Sequence, residues 1–498
     1  MNSKVEVLTE ENLPQSVRDA QYAVRGVVVR RAAQMMKDMG EGKRHDGFDK
    51  ILYCNIGNPQ AVGNPALTYL RQVTSAVNYP PLLDAVGKEG GAGGGARLVP
   101  ADMEKRSREY LRALGGSVGR YTASQGLETV RREIADYITR RDAVGRPCSP
   151  SSIFLTDGAS PAIKLILSLL VTGAGDGIML PIPQYPLYSA TITLLGGTKV
   201  PYYLDSDKRW GVPLDDLPET FASHTKRGVT PRALVVINPG NPTGQVLARS
   251  DMEGLVEFCA KRNLVLMADE VYQENVYPEN MDFISFRKVV LESDFKDTLQ
   301  LVSFHSSSKG IAGECGKRGG YMDLLNFAPG VMSQILKLSS VSLCSNTIGQ
   351  ITMGCVVTPP REGEESYELY RSEWNAMFNS LRRRADMVVA ALRQIPGCEV
   401  WEPQGAMYAF PSVEIPWGLI KEAEKEGVCP DVLYCLKLLE STGLCVVPGS
   451  GFGMPTGGNR FYFRTTFLPL EDDLARSIDR LAVFHKELMQ TYGEMSKM

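Results

Sequence analysis

A chain of 498 residues, 43% of them hydrophobic and 22% charged, is long enough for two domains and a large core. Its 54 basic and 57 acidic residues leave a net charge of −3, which gives no electrostatic footprint for nucleic acid or an anionic membrane and favours small-molecule chemistry. Apolar runs such as Leu165 to Val171 are far too short to cross a bilayer, and no secretory h-region opens the chain.

The amino-terminal arm is polar. Glu6, Glu10, Glu11 and Asp19 fall inside its first twenty residues, the wrong charge pattern for a mitochondrial transit peptide. A Gly-rich connection, GKEGGAGGGA (Gly87 to Ala96), follows. Beyond it, strand-like runs at Ile153 to Leu155, Ile178 to Leu180, Ala233 to Ile237, Leu264 to Met267 and Gln300 to Phe304 alternate with helical periodicity. The stretch TDGASPAIKLILSLLV displays one join: a strand, Gly158, Ser160 as helix N-cap, Pro161 at the first helical position, then an apolar helix. Repetition of strand then helix predicts an α/β fold with a mostly parallel sheet covered on both faces. Ser372 to Ile395 reads as one long helix leading into a smaller α+β unit. The division is an arm with part of the small domain over 1–60, a large domain over 61–370 and a small carboxy-terminal domain over 371–498.

Several chemistries are disfavoured. The ten cysteines form no CxxC pair or zinc-ligand rhythm and read as buried thiols of a reducing compartment. The four histidines are scattered, so no metal is assigned. GECGKR fails as a P-loop, because Ile311 occupies the place of its first glycine and Arg318 that of the magnesium-binding hydroxyl.

Ligands of open α/β sheets bind beyond the carboxyl ends of the strands. Four such ends stand out: TDGAS (156–160), NPGNPTG (238–244), ADEVY (268–272) and SSSKG (306–310). Each alone is ordinary, a turn, a cap or a solvated lysine. Together they supply what pyridoxal 5'-phosphate needs: a lysine to condense with its aldehyde, a carboxylate against its pyridinium nitrogen and a phosphate cup. Lys309 is the lysine and Asp269 the carboxylate. Asn241 and Tyr272 can donate to the ring's 3-oxygen. Ala159 and Ser160 offer donors at a helix N-terminus, and Ser306, Ser308 and Arg318 add hydroxyls and a bidentate cation.

With NIGNPQ (Asn55 to Gln60), YTASQG (Tyr121 to Gly126), PIPQYPLYSATI (Pro181 to Ile192), INPGNPTGQ (Ile237 to Gln245), DEVYQENVY (Asp269 to Tyr277), EGEESY (Glu362 to Tyr367) and VPGSGFG (Val447 to Gly453), the chain resembles, over nearly its whole length, the fold-type I aminotransferases of the class I and II group, and within them the alanine aminotransferases. The resemblance implies a seven-stranded large-domain sheet. It also implies that Tyr185 stacks on the cofactor and takes part in catalysis with Lys309 and Asp269. Tyr121 and Asn346 would serve the partner's site in a homodimer, while Arg464, with Gly57 and Asn241, would bind substrate, its guanidinium matched to the α-carboxylate. The implied activity is L-alanine:2-oxoglutarate transamination in two half-reactions. Glutamate:glyoxylate transamination is the close alternative, and a non-catalytic cofactor-binding regulator the rival from another class. The GKEGGAGGGARLVPADM insertion departs from that pattern near the site entrance. The expected location is the cytoplasm, with a peroxisome-type organelle as alternative, since the terminal Ser496-Lys497-Met498 resembles a Ser-Lys-Leu address.

Overall fold

In the computed structural model of this protein, the described residues are 8–45, 47–85 and 99–495. The Gly-rich stretch Gly87 to Ala96 and the tripeptide Ser496-Lys497-Met498 lie outside them.

The central sheet has seven strands in the spatial order Ile153–Thr156, Gly320–Leu325, Leu301–Ser306, Val265–Asp269, Thr230–Ile237, Asp176–Ile182 and Thr198–Tyr203. The last five are mutually parallel, and Gly320–Leu325 runs antiparallel to both of its neighbours. Along Thr230–Ile237, Leu234 and Val236 join the core on one face while Ala233, Val235 and Ile237 join the core on the other. Val265–Asp269 divides in the same way, with Leu266 and Ala268 opposite Val265 and Met267. Burial on both faces is why these strands read as continuous apolar runs.

Two strands of this sheet escaped the sequence reading, Thr198–Tyr203 and Gly320–Leu325. One helix start also differs from expectation. The helix after Ile153–Thr156 spans Ala159–Leu170 with Gly158 as its N-cap at φ 82°, and no side chain caps it. Ser160 is therefore not the cap. Gly158 tolerates the left-handed conformation, so the helix begins earlier and Ser160 sits inside its first turn.

A second, antiparallel sheet is built from Tyr408–Ala409, Arg460–Thr466, Ser412–Glu414 and Cys398–Glu399, beside the mutually packed helices Trp417–Glu426, Pro430–Thr442 and Glu471–Met495. The long helix runs from Tyr367 to Leu392. Early residues fold with this unit: Leu52–Tyr53 pairs in parallel with Leu444–Cys445, and the helix Val27–Gly40 lies on Pro430–Thr442. Among the described residues, no helix is long and apolar enough to cross a membrane.

Candidate active site

The strand ends and the carboxy-terminal unit enclose a cavity of about 480 Å³. Lys309 lies three residues past Leu301–Ser306, and its Nζ donates to the carbonyl oxygen of Gly57 at 2.6 Å. Asp269 ends its strand fully buried. Its Oδ2 accepts from the Tyr188 hydroxyl at 2.9 Å, and its Oδ1 has no partner among the described residues. Burial pushes the Asp269 carboxyl up to about 6, against the lowering effect of the Tyr188 hydrogen bond. Such a carboxylate is held in readiness for a cationic partner.

Arg464, on the strand Arg460–Thr466, is only 2% exposed. Its Nη1 donates to Asn241 Oδ1 at 2.8 Å and its Nη2 to the Asn55 carbonyl oxygen, while the guanidinium carbon lies 4.1 Å and 4.9 Å from the ring centres of Tyr408 and Phe452. Nε has no partner, and no carboxylate among the described residues pairs with this cation. A buried cation without an anion is expensive to maintain, so the place is built for an anion that arrives. Because Asn241 Oδ1 is occupied by Arg464, its Nδ2 is the group left to face Tyr272, whose hydroxyl lies 3.5 Å away. That hydroxyl in turn donates to Tyr408 at 3.2 Å.

At the other end, Ala159 and Ser160 open a twelve-residue helix whose dipole favours an anion. Arg318 reaches this point by donating from Nη2 to the Asp157 carbonyl at 2.8 Å and from Nη1 to Ser308 Oγ at 3.2 Å. A Cβ on Gly158 would stand 2.5 Å from Arg318 Nη2, which is why glycine occupies that place. Ser306 and Ser308 line the same wall. Tyr185 caps the helix Pro186–Leu194, lines the cavity, and its hydroxyl shares a 2.8 Å hydrogen bond with Tyr22.

Gly57, Ala159, Ser160, Tyr185, Asn241, Asp269, Tyr272, Ser306, Ser308, Lys309, Arg318 and Arg464 thus share one cavity. Tyr121 does not join them and is 76% exposed. Asn346 turns its side chain to the start of its own helix, accepting from Gly349 N at 3.0 Å. Sequence reasoning missed Tyr188, Tyr408 and Asn55. Tyr188 stands three residues after Tyr185 in PQYPLY and Asn55 opens NIGNPQ, so both lay within motifs already noticed; Tyr408, in QGAMYAF, carries no local signal.

A cavity lysine with a buried carboxylate and a buried, unpaired arginine, at the strand ends of such a sheet, is the mark of a fold-type I enzyme acting on amino and 2-oxo acids. The family model for aminotransferase class I and II matches residues 92–481. A "Probable alanine aminotransferase, mitochondrial" of Dictyostelium discoideum is 47% identical over 97% of this chain and 90% of its own length, and glutamate–glyoxylate aminotransferase 1 of Arabidopsis thaliana is 44% identical over 98% of each. Among solved structures, an alanine aminotransferase from Pyrococcus furiosus superposes with a TM-score of 0.73 at 24% identity, covering 95% of this chain and all of that one, and so agrees in fold. The chain belongs to the aminotransferase class I and II family and is an aminotransferase.

That family uses pyridoxal phosphate, and the residues present fit it. The orphaned Asp269 Oδ1 suits a protonated ring nitrogen, the Ser–Arg318 wall at a helix N-terminus suits a phosphate, and Lys309 supplies the amine.

Proposed function

We propose that this aminotransferase converts L-alanine and 2-oxoglutarate to pyruvate and L-glutamate in a ping-pong cycle with pyridoxal phosphate. Arg464 carries the reading: a buried, unpaired guanidinium 4.1 Å above the Tyr408 ring is a seat for the α-carboxylate common to all four substrates. The high identity of alanine aminotransferases over nearly the whole chain supports the choice of amino acid.

The cofactor, when bound, supplies an electron-accepting ring that eases loss of the substrate α-proton. The protein's own groups do the rest. Arg464, spaced by Asn55 and Asn241, orients the α-carboxylate. Lys309 Nζ, freed from the Gly57 carbonyl, takes and returns the α-proton as general base and acid. Asp269 Oδ1 would keep a proton on the cofactor's ring nitrogen, and Tyr188 holds that carboxylate in place through Oδ2. Asn241 Nδ2 and Tyr272 stand as donors beside them, Tyr185 lines the site, and Ser160, Ser306, Ser308 and Arg318 would hold the cofactor's phosphate.

Glutamate:glyoxylate transamination is the second reading, favoured by two Arabidopsis glutamate–glyoxylate aminotransferases at 44% and 43% identity. Assays of alanine and glutamate against pyruvate, 2-oxoglutarate and glyoxylate separate the two. Alanine with 2-oxoglutarate should be the fastest pair, and a preference for glyoxylate as acceptor overturns the first reading.

The proposed assembly is a homodimer, with the exposed Tyr121 reaching the partner's phosphate site. The proposed location is the cytoplasm, with a peroxisome-type organelle as alternative. A reporter on the amino end leaves Ser496-Lys497-Met498 free and one on the carboxyl end masks it. Diffuse signal from both keeps the cytoplasm, and puncta from the first alone move the enzyme to the organelle.

A further inference from the structure

The main chain of NIGNPQ (Asn55 to Gln60) is held from two sides. Leu52–Tyr53 pairs with Leu444–Cys445, and the Cys54 carbonyl accepts from Thr466 N at 3.1 Å, so the chain up to this point goes with the carboxy-terminal unit. The Asn55 carbonyl then accepts from Arg464 Nη2. Two residues on, the Gly57 carbonyl accepts from Lys309 Nζ at 2.6 Å. Asn55-Ile56-Gly57 is thus a covalent spacer between the cation proposed to seat the α-carboxylate and the amine proposed to work on the neighbouring carbon. A spacer sets a distance only if both of its ends are fixed.

The Gly57 end is fixed from outside the cavity. Lys309 sits in the loop 307–319, which folds on itself: Ser307 N donates to the Gly319 carbonyl at 3.0 Å and Glu314 N to the Ser307 carbonyl at 2.8 Å. Arg71, in the helix Thr68–Asn78, donates to the two carboxylate oxygens of Glu314 from Nε at 2.8 Å and from Nη2 at 3.1 Å. The same Nη2 donates to Gln60 Oε1 at 2.6 Å, and Gln60 Nε2 donates onward to the Gly313 carbonyl at 3.2 Å. Gly313 also lies so near Pro59 that a Cβ there would stand 3.1 Å from Pro59 Cγ. One guanidinium therefore grips both the end of NIGNPQ and the lysine loop.

Gln60, Arg71 and Glu314 do not line the cavity, so they act on the chemistry only through what they hold. Stability alone does not explain them. Glu314 is 3% exposed, and a buried ion pair of this kind can often be replaced by apolar side chains at no cost in stability. What apolar side chains cannot supply is direction: three bonds from one planar guanidinium fix angle as well as distance.

We infer that Arg71, with Glu314 and Gln60, is a positioning unit: it keeps Gly57 in register with Lys309 and so sets, through Asn55-Ile56-Gly57, where Lys309 Nζ stands relative to a carboxylate on Arg464. Misplacing a reacting group by about an ångström costs on the order of a hundredfold in rate. The clasp gives Lys309 the same point of return, the Gly57 carbonyl, after each proton transfer. The proposed acid and base role of Lys309 underlies this reading, and Lys309→Ala tests that role separately.

Loaded wild-type enzyme, Arg71→Lys, Arg71→Met and the double variant Arg71→Met with Glu314→Leu are compared in single-turnover half-reactions with alanine and with glutamate, each resolved into a limiting rate and an apparent dissociation constant. Arg71→Met strands a buried carboxylate and should lose stability as well as rate. The double variant removes both charges and should regain the wild-type melting temperature. Its limiting rates should nevertheless stay roughly tenfold to a hundredfold below wild type with both amino acids, while the dissociation constants, set at Arg464, move by less than about threefold. Arg71→Lys keeps the charge without the fork and should fall between. In the cofactor-free protein, cyanate should carbamylate Lys309 roughly fivefold faster in the double variant, as read by peptide mass spectrometry, because the hold of one hydrogen bond is lost. Wild-type limiting rates in the double variant would mean that the clasp only balances a buried charge. Weakened binding at unchanged limiting rates would place it in substrate binding, and unaltered carbamylation would show that Lys309 is held without it; any of the three overturns the inference.

Discussion

Lys309 Nζ donates to the carbonyl oxygen of Gly57 at 2.6 Å, and that same glycine lines the cavity beside it. A Cβ at Gly57 would sit 2.4 Å from the Tyr408 hydroxyl oxygen and 2.8 Å from Lys309 Nζ. Tyr408 is fully buried and cannot retreat as the lysine can. Gly57→Ala should therefore displace Tyr408 and the Arg464 guanidinium stacked on it. We expect kcat/KM to fall by at least roughly tenfold and stability by about 1–3 kcal/mol, as for other overpacked sites. Steady-state kinetics with urea unfolding test this, and wild-type kinetics in the variant would show that the glycine is incidental.

Lys309→Ala should abolish turnover with every amino-acid and oxo-acid pair. The purified variant should also lack the visible absorption of lysine-bound cofactor that borohydride fixes in the wild type. The fold should survive, because the side chain removed makes a single hydrogen bond, to the Gly57 carbonyl. Normal transamination by this variant would remove Lys309 from the mechanism.

How far the sequence disclosed this site depends on the kind of burial involved. Strands buried on both faces, such as Val265–Asp269, are uninterrupted apolar runs and so could be found, and the residues just past them followed. Gly320–Leu325 was hidden by Asp323, a buried acid whose Oδ2 takes a 2.9 Å bond from Arg287; a charge in mid-run reads as a loop until its partner is known. Thr198–Tyr203 contains Pro201, tolerated because this strand is the edge of the sheet. Tyr408 was not legible, since it reaches the cavity from a segment that only the tertiary fold brings there.

Asp269 predicts a pH signature in the cofactor-free protein. Its folded value of about 6 lies above the ordinary 3.8 of an aspartate, through burial first. The native state therefore holds its proton more tightly than the unfolded chain does. Stability falls as pH rises from about 4 to about 6, and the penalty, roughly 3 kcal/mol, persists above that. Asp269→Asn keeps an acceptor for Tyr188 and never charges. Without cofactor it should melt higher than wild type at pH 8 and equal to it at pH 4. Loaded with cofactor at pH 8 the order should reverse, and turnover should fall by orders of magnitude, because an amide cannot hold the ring proton. The same difference in melting temperature at both pH values would refute this account of Asp269.

Tyr121 is 76% exposed although it sits beside Thr122, which Gln350 ties to the core at 3.0 Å. Val341 and Leu343, just ahead of Asn346, are 79% and 53% exposed. A second copy of the chain should cover these side chains, two-fold pairing of identical chains being the commonest assembly. Sedimentation equilibrium should return twice the 54.7 kDa chain mass. Val341→Asp with Leu343→Asp should shift the protein toward monomer. Cofactor affinity and turnover should fall with it, because Tyr121 then has no neighbouring phosphate site to complete. A monomer that retains wild-type turnover would show that each chain's site is complete in itself.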